Sequence, residues 1–267
     1  MAAVRAAAVA GMFYPQSPAE LGAQVRACLG SVAPPTENAA RAKALIVPHA
    51  GYVYSGPIAA SGYRRLAERH ADVQRVVLLG PSHRVPLAGL AAPSVDAFAT
   101  PLGEVELDRG ALARALALPR VTVSDAAHAR EHSLEVQLPF LQALLPSFRL
   151  VPFAVGDATP AQVAEVIELL WDGPETLIVI SSDLSHYHRY EEARTIDRSS
   201  AKSVLALSPT LGYEQACGAV PINGLLTVAR HHRMKVEMLD LRSSGDTAGD
   251  RLRVVGYGSF AFSEAPA

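Results

Sequence analysis

The sequence predicts an α/β fold, a three-layer sandwich whose mixed, mostly parallel sheet is covered by helices on both faces. Strand-like and helix-like segments alternate along the 267 residues, the order expected of strands and helices layered around one sheet. Four apolar runs, 42–47, 75–80, 149–155 and 176–181, lack the alternation of a half-exposed strand. Each therefore reads as a strand buried on both faces, and the four should be neighbours. Three of the runs lead directly into a side chain that can bind a metal or carry a proton. His49 follows Val47-Pro48, His83 follows Gly80-Pro81-Ser82, and Asp183 with His186 follows Ser181-Ser182. Ligands of open parallel sheets bind outside the strand C-termini, so these residues predict one assembled site.

Each element has a local reason. Ser17 is an N-cap, Pro18 fits a first turn and Glu20 sits at the capping-box position, predicting a helix to about Gly30. Residues 31–41, with Pro34-Pro35, form a loop. Gly51 to Pro57 reads as a turn, with Pro57 opening a helix to about His70. The Pro- and Gly-containing stretch 81–106 holds two edge-strand candidates, 90–93 and 103–107. Asp108 caps a helix to about Leu118, and 121–123 is a short strand. Leu134, Leu138, Leu141 and Leu145 recur at helical spacing, predicting one helix over 131–145. Thr159-Pro160 starts a helix to Trp171, and further helices cover 191–206 and 223–232. An antiparallel pair, 235–242 and 253–262, closes the chain. No repeat, linker or composition break divides it, so residues 1–267 read as a single domain.

Composition narrows the classes. Charged residues make up 19% and the net charge is −2, which gives no electrostatic footprint for nucleic acid. No apolar run approaches the roughly 20 residues that span a bilayer, so no membrane partner is expected. The two cysteines, Cys28 and Cys217, make no disulfide framework and point to a reducing cytoplasm. The briefly apolar start lacks a basic region followed by a hydrophobic stretch, and reads as mature sequence.

For one loop histidine, a bond to a nearby carbonyl is a sufficient explanation. His49 and His83 repeat the same strand–proline–histidine context, which favours ligands or catalytic groups. Cys217, in Ala216-Cys217-Gly218, fits either a small buried hydrophobe or a thiolate held at a turn before a helix. Cys28 fits only the first. Asp183 and His186 would share a face if that segment were helical. Glu131-His132-Ser133-Leu134-Glu135 is half of a zinc-binding helix without its second histidine, yet His132 can still point into the site. Glycine-rich phosphate loops and the Gly-x-Ser-x-Gly elbow are absent.

Val47-Pro48-His49-Ala50-Gly51-Tyr52-Val53-Tyr54-Ser55-Gly56, Gly80-Pro81-Ser82-His83, Glu131-His132-Ser133-Leu134-Glu135, Ser181-Ser182-Asp183-Leu184-Ser185-His186 and Cys217-Gly218 with Pro221-Ile222 occur in this order. Together they closely resemble the Memo family, whose microbial members are designated AmmeMemoRadiSam system protein B. The resemblance runs from Gly11 to Phe260. It implies the fold of class III extradiol dioxygenases, with two histidines and a cysteine where those enzymes carry two histidines and a glutamate. Matched by motif, the metal ligands are His49, His83 and Cys217. Asp183 and His186 line the same pocket, and Tyr54 lies near it. Animal members have a basic pair where this chain has Ala219-Val220. The designation also implies AMMECR-type and radical-SAM partner proteins.

Two imidazoles and a thiolate leave coordination positions open. Relative to a carboxylate set, the thiolate softens the site towards copper, zinc or thiolate-bound iron. Iron or copper is therefore the expected cofactor, with zinc as a further candidate. Asp183 is the expected partner of a histidine ring N–H and His186 the expected acid–base group. The expectation is a metal-dependent redox protein acting on an unidentified small molecule. The alternative is a non-catalytic metal- or ligand-binding partner of the AMMECR and radical-SAM proteins.

Overall fold

Apolarity on both sides places the four central runs where neither face meets water. In the computed structural model, which describes residues 3–35, 40–66 and 72–264, the first half of the chain forms β1 (Val4–Arg5), α1 (Pro18–Gly30), β2 (Ala42–Val47), α2 (Tyr52–Tyr63), β3 (Arg75–Pro81), β4 (Leu90–Ala92), β5 (Ala97–Thr100), β6 (Gly103–Glu106), α3 (Arg109–Ala115), β7 (Val121–Val123) and α4 (Asp125–Ala129). The second half forms α5 (His132–Glu135), α6 (Leu138–Leu144), β8 (Arg149–Val155), α7 (Pro160–Leu169), β9 (Thr176–Ser181), β10 (His186–His188), α8 (Tyr190–Leu205), α9 (Ala219–His231), β11 (Lys235–Ser243) and β12 (Val254–Ser263).

The main sheet runs β10-β12-β2-β9-β3-β8-β4-β7, with β11 also paired to β12. Its centre, β2-β9-β3-β8, is parallel throughout and consists of the four runs expected to be neighbours. All six residues of β2 and all six of β9 are buried. Antiparallel pairing brings in β12 beside β2 and β4 beside β8. A small sheet, β1-β5-β6, stands apart from the main one.

Helices cover both faces. A Cβ on Gly62 of α2 would meet Ser259 of β12, whereas a Cβ on Gly256 of β12 would meet Asp197 of α8. Residues 256 and 259 point to opposite sides of the strand, so α2 and α8 lie on opposite faces. Fully buried Phe153, Phe260 and Ile46 anchor the core, each contributing about 1.5–3 kcal/mol through burial.

Several elements differ from the sequence expectation. Pro57 lies inside α2 rather than at its start. The preceding residue is Gly56, which lacks the Cβ that would clash with the proline ring in a helix. The expected helix end at His70 lies outside the described residues. The single helix expected over 131–145 breaks into α5 and α6, because Pro139 has no N–H for the Glu135 carbonyl. Segment 90–92 is an interior strand; β7 forms the edge. Helix α9 begins at Ala219, four residues early, so Cys217 sits immediately before its Gly218 N-cap. The segment after Asp183 leads into β10, not a helical turn, so Asp183 and His186 do not share a helix face.

Candidate functional site

Because β2, β9 and β3 are parallel neighbours, their C-terminal ends deliver His49, Ser181 to Asp183, and His83 to one edge of the sheet. The ring centroids of His49 and His83 lie 5.2 Å apart. His132, at the start of α5, stacks on His83 at 4.6 Å and meets His49 edge-on at 5.3 Å. One ring nitrogen from each of the three lies within 4.8 Å of the other two. Cys217 approaches from the α9 side, its Sγ 3.3 Å from His49 Nε2.

The surrounding hydrogen bonds set the histidine tautomers. Ser181 Oγ donates its one proton to the Ser133 carbonyl and accepts from Gln137 Nε2 at 2.8 Å. Gln137 is oriented by the Pro48 carbonyl, which can only accept. The remaining Ser181 contact, to His49 Nδ1 at 2.9 Å, must therefore take a proton from the imidazole. His49 carries its hydrogen on Nδ1 and turns the Nε2 lone pair towards Cys217. His83 follows the same logic. Its Nδ1 lies 2.9 Å from Glu131 Oε1, and its backbone N–H donates to Oε2 at 2.6 Å. Burial pushes the Glu131 carboxyl up, but the bonds and charge of His83 and the Ser133 N–H outweigh it and hold the group at about 2. Glu131 is thus an ionised acceptor that fixes a hydrogen on His83 Nδ1 and leaves Nε2 as the ring nitrogen facing away from the carboxylate.

Burial keeps two of the imidazoles neutral. His49 lies well below the usual histidine range through desolvation, with His83, His132 and His186 adding to the effect. His132 is lowered to about 4, mainly by burial. Its Nδ1 is buried and lies 3.3 Å from Glu131 Oε1 without a well-aligned hydrogen bond to it. Burial, reinforced by the Asp183 charge, pushes the Cys217 thiol up to about 12.

The ring partners differ from expectation. Asp183 does not bond a histidine ring; its Oδ1 accepts the backbone N–H of His49 at 2.7 Å. Ser181 Oγ occupies the Nδ1 edge of the His49 ring instead. Burial raises the Asp183 carboxyl to about 7 against the backbone N–H bonds from His49 and Ala50 and the influence of His83. His186, half-buried on β10, stands where two clefts meet. One, of about 830 Å³, is walled by Val85, Leu87, Val155 and Val220 and reaches Cys217. The other, of about 770 Å³, is bounded by Tyr54, His132, Asp183 and Tyr257. His83 and His186 border both. Tyr54 is exposed on the cleft wall.

Glu131, Ser181, Gln137 and Tyr257 were not singled out as site residues from the sequence. A signal existed for Ser181 and Gln137, each a polar residue at the end of or within an apolar segment, a position that burial permits only with partners. The motif 131–135 is a junction rather than half a zinc helix. Its Glu135 accepts from Arg5 Nη1 at 2.6 Å, from the backbone N–H groups of Ala8 and Val9, and from the Tyr14 hydroxyl, tying the N-terminal segment to the site's back wall.

Among the described residues no helix is long and apolar enough to cross a membrane. In comparison with known proteins, residues 5–261 match the family model for Memo-like protein. A MEMO1 family protein of Methanopyrus kandleri is 35% identical, the match covering 97% of this chain and 98% of that protein. Another from Thermotoga maritima is 35% identical, covering 95% and 97%. The crystal structure of an uncharacterized Escherichia coli K12 protein superposes with a TM-score of 0.52 at 13% identity, covering 82% of this chain and 99% of that one, a likeness of fold alone. With a near full-length family match and relatives of this similarity over almost every residue, the chain belongs to the Memo-like protein family.

Proposed function

We propose that the protein binds iron or copper at the strand C-termini through His49, His83 and Cys217, and serves a redox reaction on a small molecule entering by the two clefts. The observation that carries this reading is the pair of hydrogen-bonded Nδ1 atoms. Ser181 and Glu131 occupy the Nδ1 sides of His49 and His83, so in each ring Nε2 is the nitrogen left to face a metal. Metal-binding histidines are oriented in this way. His132, with one ring nitrogen within 4.8 Å of those of His49 and His83, fits a further ligand or a contact to a metal-bound group.

A bound iron or copper ion would supply one-electron chemistry and open positions for substrate. The chain's own residues do the rest. Val85, Leu87 and Val220 give one side of the site an apolar wall against which a small molecule can pack. His186, bordering both clefts, is placed to hold or pass a proton. Asp183 keeps the His49 turn in position through its backbone N–H bond. The unpaired cysteines, Cys28 and Cys217, fit a reducing cytoplasm.

Metal content and dissociation constants, measured anaerobically with Fe(II) and Cu(I), test the ligand set. Cys217→Ser and His49→Ala should each weaken binding at least about 10-fold, and Cys28→Ser should not. Equal affinities in all of them would remove the thiolate from the ligand set. Zinc, without oxidation chemistry of its own, is the competing metal in that assay. A second reading, a non-catalytic metal-binding partner of AMMECR-type and radical-SAM proteins, is favoured by the thiolate, which dioxygen can oxidise. Oxygen consumption with a panel of aromatic diols separates the two, since only the first expects turnover.

A further inference from the structure

We infer that Glu168, His231 and His232 form a second metal site, on the surface, for a divalent ion of the zinc or copper type that joins the C-terminal ends of α7 and α9. One donor atom from each of the three residues lies within 4.8 Å of the other two. The two oxygens of Glu168 are already divided between the histidines. Oε1 lies 2.9 Å from His231 Nδ1, and Oε2 lies 3.0 Å from His232 Nε2. A divalent ion would take the place of the bridging hydrogens, each imidazole then carrying a ring proton only on its other nitrogen. Two imidazoles and a carboxylate suit zinc and copper, with the remaining positions taken by water.

Three features prepare the place. His232 stacks on Trp171 with centroids 4.5 Å apart and ring planes 14° from parallel, which holds the imidazole in orientation. Trp171 is fixed in turn, because Lys43 Nζ bonds its carbonyl and those of Gly173 and Thr176. Glu168 lies in the last turn of α7, and His231 ends α9. Two helix C-termini thus present their partial negative charge to a cation. The site is separate from the one at the sheet edge. Cys217 precedes α9 and His231 ends it, so the 13-residue helix puts about 20 Å between them.

Trp171 is the one tryptophan of the chain and provides the readout. Cu(II) bound to His232 should quench its emission saturably at one equivalent, and Zn(II) should compete without quenching. The same quenching is expected in His49→Ala/Cys217→Ser, where the sheet-edge ligands are gone. His231→Ala, Glu168→Gln and His232→Gln should each raise the half-saturating copper concentration about 10-fold or more. His231→Ala leaves the Trp171 stack in place, so its effect reports on metal binding and not on the indole's surroundings. Absence of saturable quenching at millimolar copper overturns the inference. So does quenching that His231→Ala and Glu168→Gln leave unchanged, because one histidine alone would then account for it. Quenching lost in His49→Ala/Cys217→Ser would assign the copper to the sheet edge and equally overturn it.

Discussion

At the scale of single residues, the site depends on side chains that touch no ligand. Glu131 accepts from both the ring and the backbone of His83 and from the Ser133 N–H. Glu131→Gln replaces one acceptor oxygen by a donor, so His83 loses its fixed tautomer. Metal affinity should fall about 10- to 100-fold, measured by anaerobic competition with a chromophoric chelator; unchanged affinity would mean that His83 is not held for a metal. A second residue sets a pH dependence. His128 Nε2 donates to the Ala91 carbonyl at 2.9 Å, while its buried Nδ1 has no partner. Burial lowers this histidine to about 4, against an ordinary value of about 6.5 when unfolded. Between those values the unfolded chain holds the extra proton, so stability falls as pH drops through the window. The expected loss is about 2 kcal/mol by pH 5, and about 3 kcal/mol once the folded-state value is passed. Urea denaturation at pH 7 and pH 5 should show a smaller loss for His128→Gln than for the wild type. Equal losses would assign the acid sensitivity to other groups.

At the scale of elements, close approach explains why particular segments fit only one way. A Cβ on Gly256 of β12 would lie 2.0 Å from Asp197 Oδ2 on α8. The carboxylate needs that space, because its Oδ1 accepts the Ser185 N–H at 3.0 Å and so ties α8 to the segment leading into His186. Gly256→Ala should cost about 1–3 kcal/mol through overpacking. Thermal denaturation in an Asp197→Ala background checks the cause. The cost of Gly256→Ala should shrink there, since neighbouring sites are not additive; a full cost in both backgrounds would point to backbone strain instead. Capping was the most legible feature at this scale. Ser17, Asp108 and Thr159 each accept the backbone N–H three residues on; Thr159 completes a capping box with Gln162, whereas at Ser17 the expected return bond from Glu20 is not formed.

At the scale of the whole molecule, the parallel centre of the sheet collects distant segments at one edge, and a ligand bound there should stabilise the folded chain. Metal at about 100 times its dissociation constant would add about 2.7 kcal/mol. For a chain of this size that corresponds to a rise in Tm of about 5–10 °C. Anaerobic thermal scans with and without iron or copper should show the rise in the wild type and its loss on chelation. Cys217→Ser should show much less of it. The surface site around Glu168 would contribute separately, so scans of His231→Ala tell the two apart.

The sequence by itself determined the α/β class, the four central strands and the positions of His49, His83 and Cys217 just beyond strands or before a helix. Those features are local: apolar runs without alternation, prolines and glycines that stop elements, and caps that start them. Tertiary structure alone decided which polar groups meet. That Ser181 rather than Asp183 bonds the His49 ring depends on β9 lying beside β2, 132 residues apart in sequence. The pairing of Glu131 with His83 across 48 residues likewise needs α5 seated against the end of β3. His132 joins the histidine group because α5 starts beside the end of β3, which stacks its ring on His83. Local sequence sets backbone preference over a few residues. A buried polar side chain takes whichever partner the packing brings within about 3 Å, and that partner is settled only when the sheet order is.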